Sequence, residues 1–128
     1  MIGYITLGTN DLSRATAFYD ALFPEIGAVR LRESDRSVAW GMTGDSPAVG
    51  VCKPFDGQPA TAGNGTMVAL KMDSKAKVDA LYRAALKLGG QDEGAPGPRG
   101  PVEMGYYGAY FRDLDGNKIC AFCIGAAG

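Results

Sequence analysis

Tyr110-Phe111-Arg112-Asp113-Leu114-Asp115-Gly116-Asn117-Lys118-Ile119 is the stretch on which the reading of the fold depends. Asp and Asn tolerate left-handed backbone and bond locally, and Gly supplies positive φ without a steric cost, so Asp113–Asn117 predicts a tight turn. The flanks, Gly105–Arg112 and Lys118–Phe122, alternate and are rich in Tyr, Phe and Ile. Together they predict a β-hairpin that closes the chain.

Working back from the hairpin, Gly94–Pro101 is dominated by Gly and Pro and predicts a loop, with a short strand before it near Gly90–Glu93. Upstream, Val78, Leu81, Ala85 and Leu88 form one stripe at helical spacing. Asp73-Ser74 offers the N-cap and Gly89-Gly90 the stop. Thr66–Met72 reads as the strand before that helix. The same order appears in the first half. Ile2–Gly8 alternates as a strand, Thr9-Asn10-Asp11 offers caps, and Leu12, Ala15, Phe18, Tyr19 and Leu22 follow at helical spacing until Pro24 and Gly27. Ala28–Arg32, Ser37–Met42 and Ala48–Lys53 are three further strands separated by turn-forming residues. A shift of about sixty residues lays Met67 on Tyr4, Leu70 on Leu7, Leu81 on Phe18 and Tyr82 on Tyr19, an internal repeat. The expected fold is therefore α+β, built from two βαβββ modules. Module 1 covers about 1–54, a Gly- and Pro-rich linker 55–64, and module 2 about 65–128.

Composition removes several function classes. The 128 residues suffice for one domain with a sizeable core, and 46% of them are hydrophobic. A net charge of −1 argues against a nucleic-acid surface. No apolar run is long enough to span a bilayer, so no membrane partner is expected. The chain opens on Met1-Ile2-Gly3-Tyr4-Ile5, strand-like and without a basic region and cleavage site, which predicts a cytoplasmic protein. Cys52, Cys120 and Cys123 are odd in number, and residues three apart in a strand face opposite sides, so reduced and buried thiols are expected. There is no histidine, and with it goes the commonest metal ligand and the commonest general base near neutral pH.

Tyr110–Ile119 resembles the last hairpin of the vicinal oxygen chelate superfamily, which includes glyoxalase I, bleomycin-resistance and fosfomycin-resistance proteins and extradiol dioxygenases. There an aromatic-x-Asp-Pro-Asp-Gly-Asn run is followed, two residues on, by a metal-binding Glu. Leu114 stands in the place of Pro here, and Cys120 in the place of Glu. Asn10-Asp11-Leu12 and Ala15-Thr16-Ala17-Phe18-Tyr19 are similar to the superfamily's first strand end and helix. The resemblance covers essentially the whole chain. It implies that the modules pair into a curved mixed sheet, with helices on the convex side and a ligand on the concave side. It also implies a homodimer, with modules paired either within or between chains.

Metal-dependent members of the superfamily draw their ligands from the first and last strands of each module. By position these fall on Tyr4, Met67 and Cys120, with a fourth within Val49–Cys52. Divalent ions of the hard and borderline kind want carboxylate, imidazole or water oxygen. A phenol, with a pKa of about 10, is a poor substitute. Thioether and thiolate suit Cu(I) or Zn, but a tetrahedral site needs a fourth donor that the sequence does not identify. The expectation is thus no metal and no cofactor, and a cavity with aromatic and apolar walls binding a small, partly aromatic molecule. The binding set carried forward is Tyr4, Trp40, Met67, Arg99, Tyr107, Tyr110, Cys120 and Phe122. Trp40 and Tyr110 each suit core and pocket equally well, and Tyr106 and Tyr107 alternate faces, so only one of that pair enters a cavity. Arg99 suits a carboxylate or phosphate group. The alternative is a lactoylglutathione-lyase-like or isomerase enzyme that uses protein groups in place of a metal. Its catalytic candidates are Cys120, which shares a face with Lys118, and Glu103 and Tyr4.

Overall fold

The computed structural model describes residues 1–43 and 47–125. Each half begins with a strand and a capped helix. Strand β1 (Tyr4–Gly8) leads to α1 (Leu12–Leu22), where the Asp11 carboxylate accepts from the Arg14 amide and supplies the N-cap. Ala15, Phe18, Tyr19 and Leu22 bury one stripe of α1. A 3-10 turn (Phe23–Ile26), entered through Pro24, ends on Gly27 at φ 79°, a left-handed stop that glycine adopts freely. In the second half β5 (Val68–Lys71) leads to α2 (Lys75–Lys87). Ser74 is its N-cap, and Val78, Leu81 and Ala85 are buried.

Three further strands complete each half. β2 (Val29–Glu33), β3 (Ser37–Gly41) and β4 (Ala48–Cys52) join β1 in a sheet of order β1-β4-β3-β2, with β1 parallel to β4 and the rest antiparallel. β6 (Gln91–Pro98), β7 (Tyr106–Arg112) and β8 (Lys118–Ile124) join β5 in the equivalent order, β5-β8-β7-β6. The two modules thus make two separate hydrogen-bonded sheets of matching topology. Among the described residues, no helix is long and apolar enough to cross a membrane.

Gly94–Pro98 departs from the sequence expectation of a loop, because β6 runs on through it. The pairing with β7 is irregular, with register shifts between Asp92 and Gly94 and between Gly94 and Gly97. Bulges accommodate the glycines and prolines that a regular ladder would reject. A 3-10 turn (Val102–Met104) then links β6 to β7.

Register divides each sheet into a helix-facing side and an open side, since directly paired residues share a face. Ile119, Ala121, Cys123, Ala109 and Phe111 face α2. Leu7, Val38, Trp40 and Val51 face α1. All belong to one apolar core that spans both halves. Among the described residues, the polar bonds that join the halves gather at the Asp113–Asn117 turn. Tyr19 on α1 donates to Asp113 at 2.6 Å, Asn117 donates to the Gly8 carbonyl at 3.0 Å, and the Asn10 amide donates to Asp115 at 3.0 Å. Asn10 in turn holds Ala60 of the linker through both its amide nitrogen and its oxygen.

Candidate functional site

On the open side of the second sheet, β7 presents Tyr106, Gly108, Tyr110 and Arg112, and β8 presents Lys118, Cys120, Phe122 and Ile124. Alternation alone puts them there. The Tyr106 ring stacks on Phe122, with centroids 5.4 Å apart and planes 7° from parallel. Its hydroxyl lies 3.2 Å from the Cys120 sulfur and 3.3 Å from the Tyr110 hydroxyl. Gly108 makes the arrangement feasible, because a Cβ there would sit 2.7 Å from the Tyr106 ring. Burial, reinforced by the bonds to Cys120 and Tyr110, pushes the Tyr106 hydroxyl far above the ordinary phenol range, so it stays protonated.

Tyr110 is flanked by two cations. The Arg99 guanidinium and the Lys118 ammonium each lie 5.6 Å from its ring centroid. Arg99 donates to the carbonyls of Ala95 and Pro98. Arg112, on the same face, is bonded to Glu93. That bond, helped by a smaller contribution from Lys118, holds the Glu93 carboxyl below its usual range.

The positions that would hold an ion do not fit one. Cys120 is fully buried and its sulfur is engaged with Tyr106. Tyr4 lies in the other sheet, 66% exposed, and Met67 is 43% exposed just before β5. Tyr4 is paired with Ala48 and Thr6 with Gly50, so the open-side residues within Val49–Cys52 are Gly50 and Cys52. None of these side chains is a carboxylate or an imidazole. Among the described residues, no three His, Cys, Asp or Glu side chains gather where they could hold an ion. A donor set of phenol, thioether and an engaged thiol does not suit a divalent metal.

Of the residues carried forward, the structure gathers Tyr110, Cys120, Phe122 and Arg99 on one shelf. It places others elsewhere. Trp40 sits on the helix-facing side, 1% exposed, against Tyr19 and Phe23, with its indole N–H donated to Asp20 at 2.8 Å. Tyr107 also faces the helix, and its hydroxyl donates to Asp79 of α2 at 2.7 Å. Tyr106 therefore takes the open-side place. Glu103 is exposed in the 3-10 turn before β7. Tyr4 lines a separate hollow of about 320 Å³ with Thr6, Arg32, Ser37 and Ala39. A larger crevice of about 540 Å³ opens between the β1 and β5 edges, walled by Ile5, Val49, Trp40, Val68, Leu70 and Met72. Its polar lining is confined to Lys71, Asp73 and Lys77, and Lys77 is paired with Asp73. The shelf, with its convergent hydroxyls and cations, has the chemistry that the crevice lacks.

Tyr106, Gly108, Arg112, Lys118 and Ile124 share this face and are absent from the binding set drawn from the sequence. Their signal was parity. If the hairpin closes on Arg112 and Lys118, every second residue outward shares the face of Cys120.

The sequence model of the Glyoxalase/Bleomycin resistance protein/Dioxygenase superfamily matches residues 1–121. A glyoxalase/bleomycin resistance protein from Albidiferax ferrireducens is similar at 35% identity and a TM-score of 0.86, covering 96% of this chain and 98% of that one. A lactoylglutathione lyase from Agrobacterium tumefaciens (23% identity, TM-score 0.69, 96% and 92% covered) shares the fold. So does the fosfomycin resistance protein FosX from Mesorhizobium loti (20%, 0.68, 96% and 91%). None of the curated proteins matches the chain. With its sequence matched almost end to end and its two repeated modules built alike, the chain belongs to the glyoxalase/bleomycin resistance protein/dioxygenase superfamily.

Proposed function

We propose that this protein binds a small, partly aromatic molecule on the open side of its second sheet, without a metal ion, as a homodimer in which a second copy covers that face. The observation that carries the reading is the Tyr106–Phe122 stack, with the Tyr106 hydroxyl bonded to both the Cys120 sulfur and the Tyr110 hydroxyl. It puts a flat apolar surface and hydrogen-bonding groups where metal-dependent relatives would place a carboxylate. Flat ligands bind such surfaces by apolar burial and stacking, at roughly 25 cal/mol per Å² of apolar area removed from water. Exposed Met104 and Ile124 extend the apolar surface beside the stack, which favours coverage by a second chain. Free thiols at Cys52, Cys120 and Cys123 suit a reducing compartment, which supports the cytoplasm.

A lyase or isomerase running on protein groups would have to use the same shelf. Tyr106 is held protonated there, so it can donate a hydrogen bond but cannot serve as a base at neutral pH. Cys120 is buried beneath it, away from the partly exposed setting a reactive thiolate needs. Binding therefore stands ahead of catalysis.

The test titrates the intact protein with neutral 2-naphthamide, before and after exhaustive chelation, while backbone amide shifts are followed by NMR. Shifts centred on 106–112 and 118–124, unchanged by the chelator, are the expected result. Stoichiometric nickel or zinc in the purified protein, together with turnover of the methylglyoxal–glutathione hemithioacetal, would overturn it.

A further inference from the structure

We infer that the ligand of this shelf carries an anionic group, and that Arg99 and Lys118 receive it on either side of Tyr110; the ligand class is a flat or conjugated carboxylate. The inference rests on the shelf being the binding site and adds the charge of what binds there.

Three observations support it. First, two cations converge on one ring although the chain as a whole carries a net charge of −1. Arg99 approaches from the end of β6 and Lys118 from β8, the two strands that flank the β7 strand bearing Tyr110. Each cation gains roughly 0.5–1 kcal/mol from the ring face, but their mutual repulsion works against both.

Second, neither cation is neutralised. Among the described residues, neither Arg99 nor Lys118 is in an ion pair with a carboxylate. Glu93, whose carboxyl feels the charge of Lys118, is bonded to Arg112. Asp92 is bonded to the Tyr82 hydroxyl and the Gly94 amide. Among the described residues, the Arg99 guanidinium, with five N–H donors, bonds only the carbonyls of Ala95 and Pro98. Three of its N–H groups are left over, on a cation of the kind that pairs with carboxylates.

Third, the place for Arg99 is built into the backbone. A Cβ at Gly97 would lie 3.0 Å from one terminal nitrogen of its guanidinium. A Cβ at Gly94 would lie 3.4 Å from the other and 3.0 Å from the Tyr110 ring, and Gly94 has φ 153°. The two bulges that interrupt β6 fall at these glycines. The irregular strand thus holds a charged fork over an aromatic ring, next to a surface suited to a conjugated system.

The test compares 2-naphthoate with its neutral isostere 2-naphthamide on the full chain, by titration with NMR detection. Naphthoate is expected to bind about tenfold more tightly than the amide at the 106–112 and 118–124 amides. Raising salt from about 50 to about 500 mM should remove most of that preference, since exposed charges are then screened. In the Arg99→Gln/Lys118→Gln variant the ratio of naphthoate to naphthamide affinity should fall to about one. Equal binding of the two molecules at the shelf, or a preference that survives the double substitution, overturns the anionic assignment and leaves the aromatic site standing. Failure of both molecules to shift the shelf amides overturns the binding site itself, and the assignment with it.

Discussion

The Asp113 carboxylate accepts four hydrogen bonds, from the Tyr19 hydroxyl, the amides of Asp115 and Asn117, and the Asn117 side chain, and the residue is 5% exposed. Asp113→Ala strands several buried donors at once and should lower stability by roughly 2–4 kcal/mol, read as a shift in the urea midpoint. Tyr19 gives the site a pH signature. Burial first, then the Asp113 charge, raises its pKa well above that of a free phenol. The unfolded chain ionises this tyrosine at about pH 10 while the folded chain keeps it neutral, so its contribution is complete below that pH and is lost as pH rises above it. Tyr19→Phe should therefore make the decline of stability between about pH 9 and pH 11 shallower, in denaturant titrations across that range. In the sequence Asp113 was legible only as a turn residue. That its second oxygen reaches α1, 94 residues away in sequence, is a tertiary fact with no local trace. Tyr106 and Tyr107 show the same limit at the shelf. Both types were visible, but which of them faces out depends on a register that adjacent tyrosines leave open.

Elements were easier to read than residues wherever periodicity was strong. The stripes of α1 and α2 and the Ser74 cap appear where the spacing put them, because apolar side chains at helical period have one face to bury. Leu81→Ala in α2 should cost about 2–5 kcal/mol, since the side chain is fully enclosed and the cavity closes only in part. β6 was not legible. Glycine and proline argue against a strand, and pairing with β7 keeps Gly94–Pro98 extended. On β7, Gly108 looks like a weakness in the strand and acts as the seat of the Tyr106 ring. Gly108→Ala should displace that ring and weaken 2-naphthamide by about tenfold, measured alongside a near-ultraviolet circular dichroism change with the far-ultraviolet spectrum preserved.

At the scale of the molecule, the repeat between the halves was legible from Tyr4/Met67 and Leu7/Leu70, and the two sheets of matching order follow from it. How the halves meet was not, because the residues that join them are ordinary turn and cap types. A homodimer predicts a sedimenting mass of two chains. Ile124→Lys, at the rim of the shelf, should shift it towards one while leaving the circular dichroism unchanged.

The polar seam between the halves ties the first helix and its cap to the final hairpin, and the exposed Asp56-Gly57-Gln58 turn lies outside it. Covalent continuity there is dispensable to the extent that the seam and the common core suffice. Residues 1–57 and 58–128, produced as separate polypeptides, should find one another on mixing and co-elute as a folded pair. The Asp113→Ala form of the longer piece should fail to recruit its mate. A superfamily domain with this seam would thus serve as a fragment-complementation reporter, its halves reporting the proximity of whatever they are fused to.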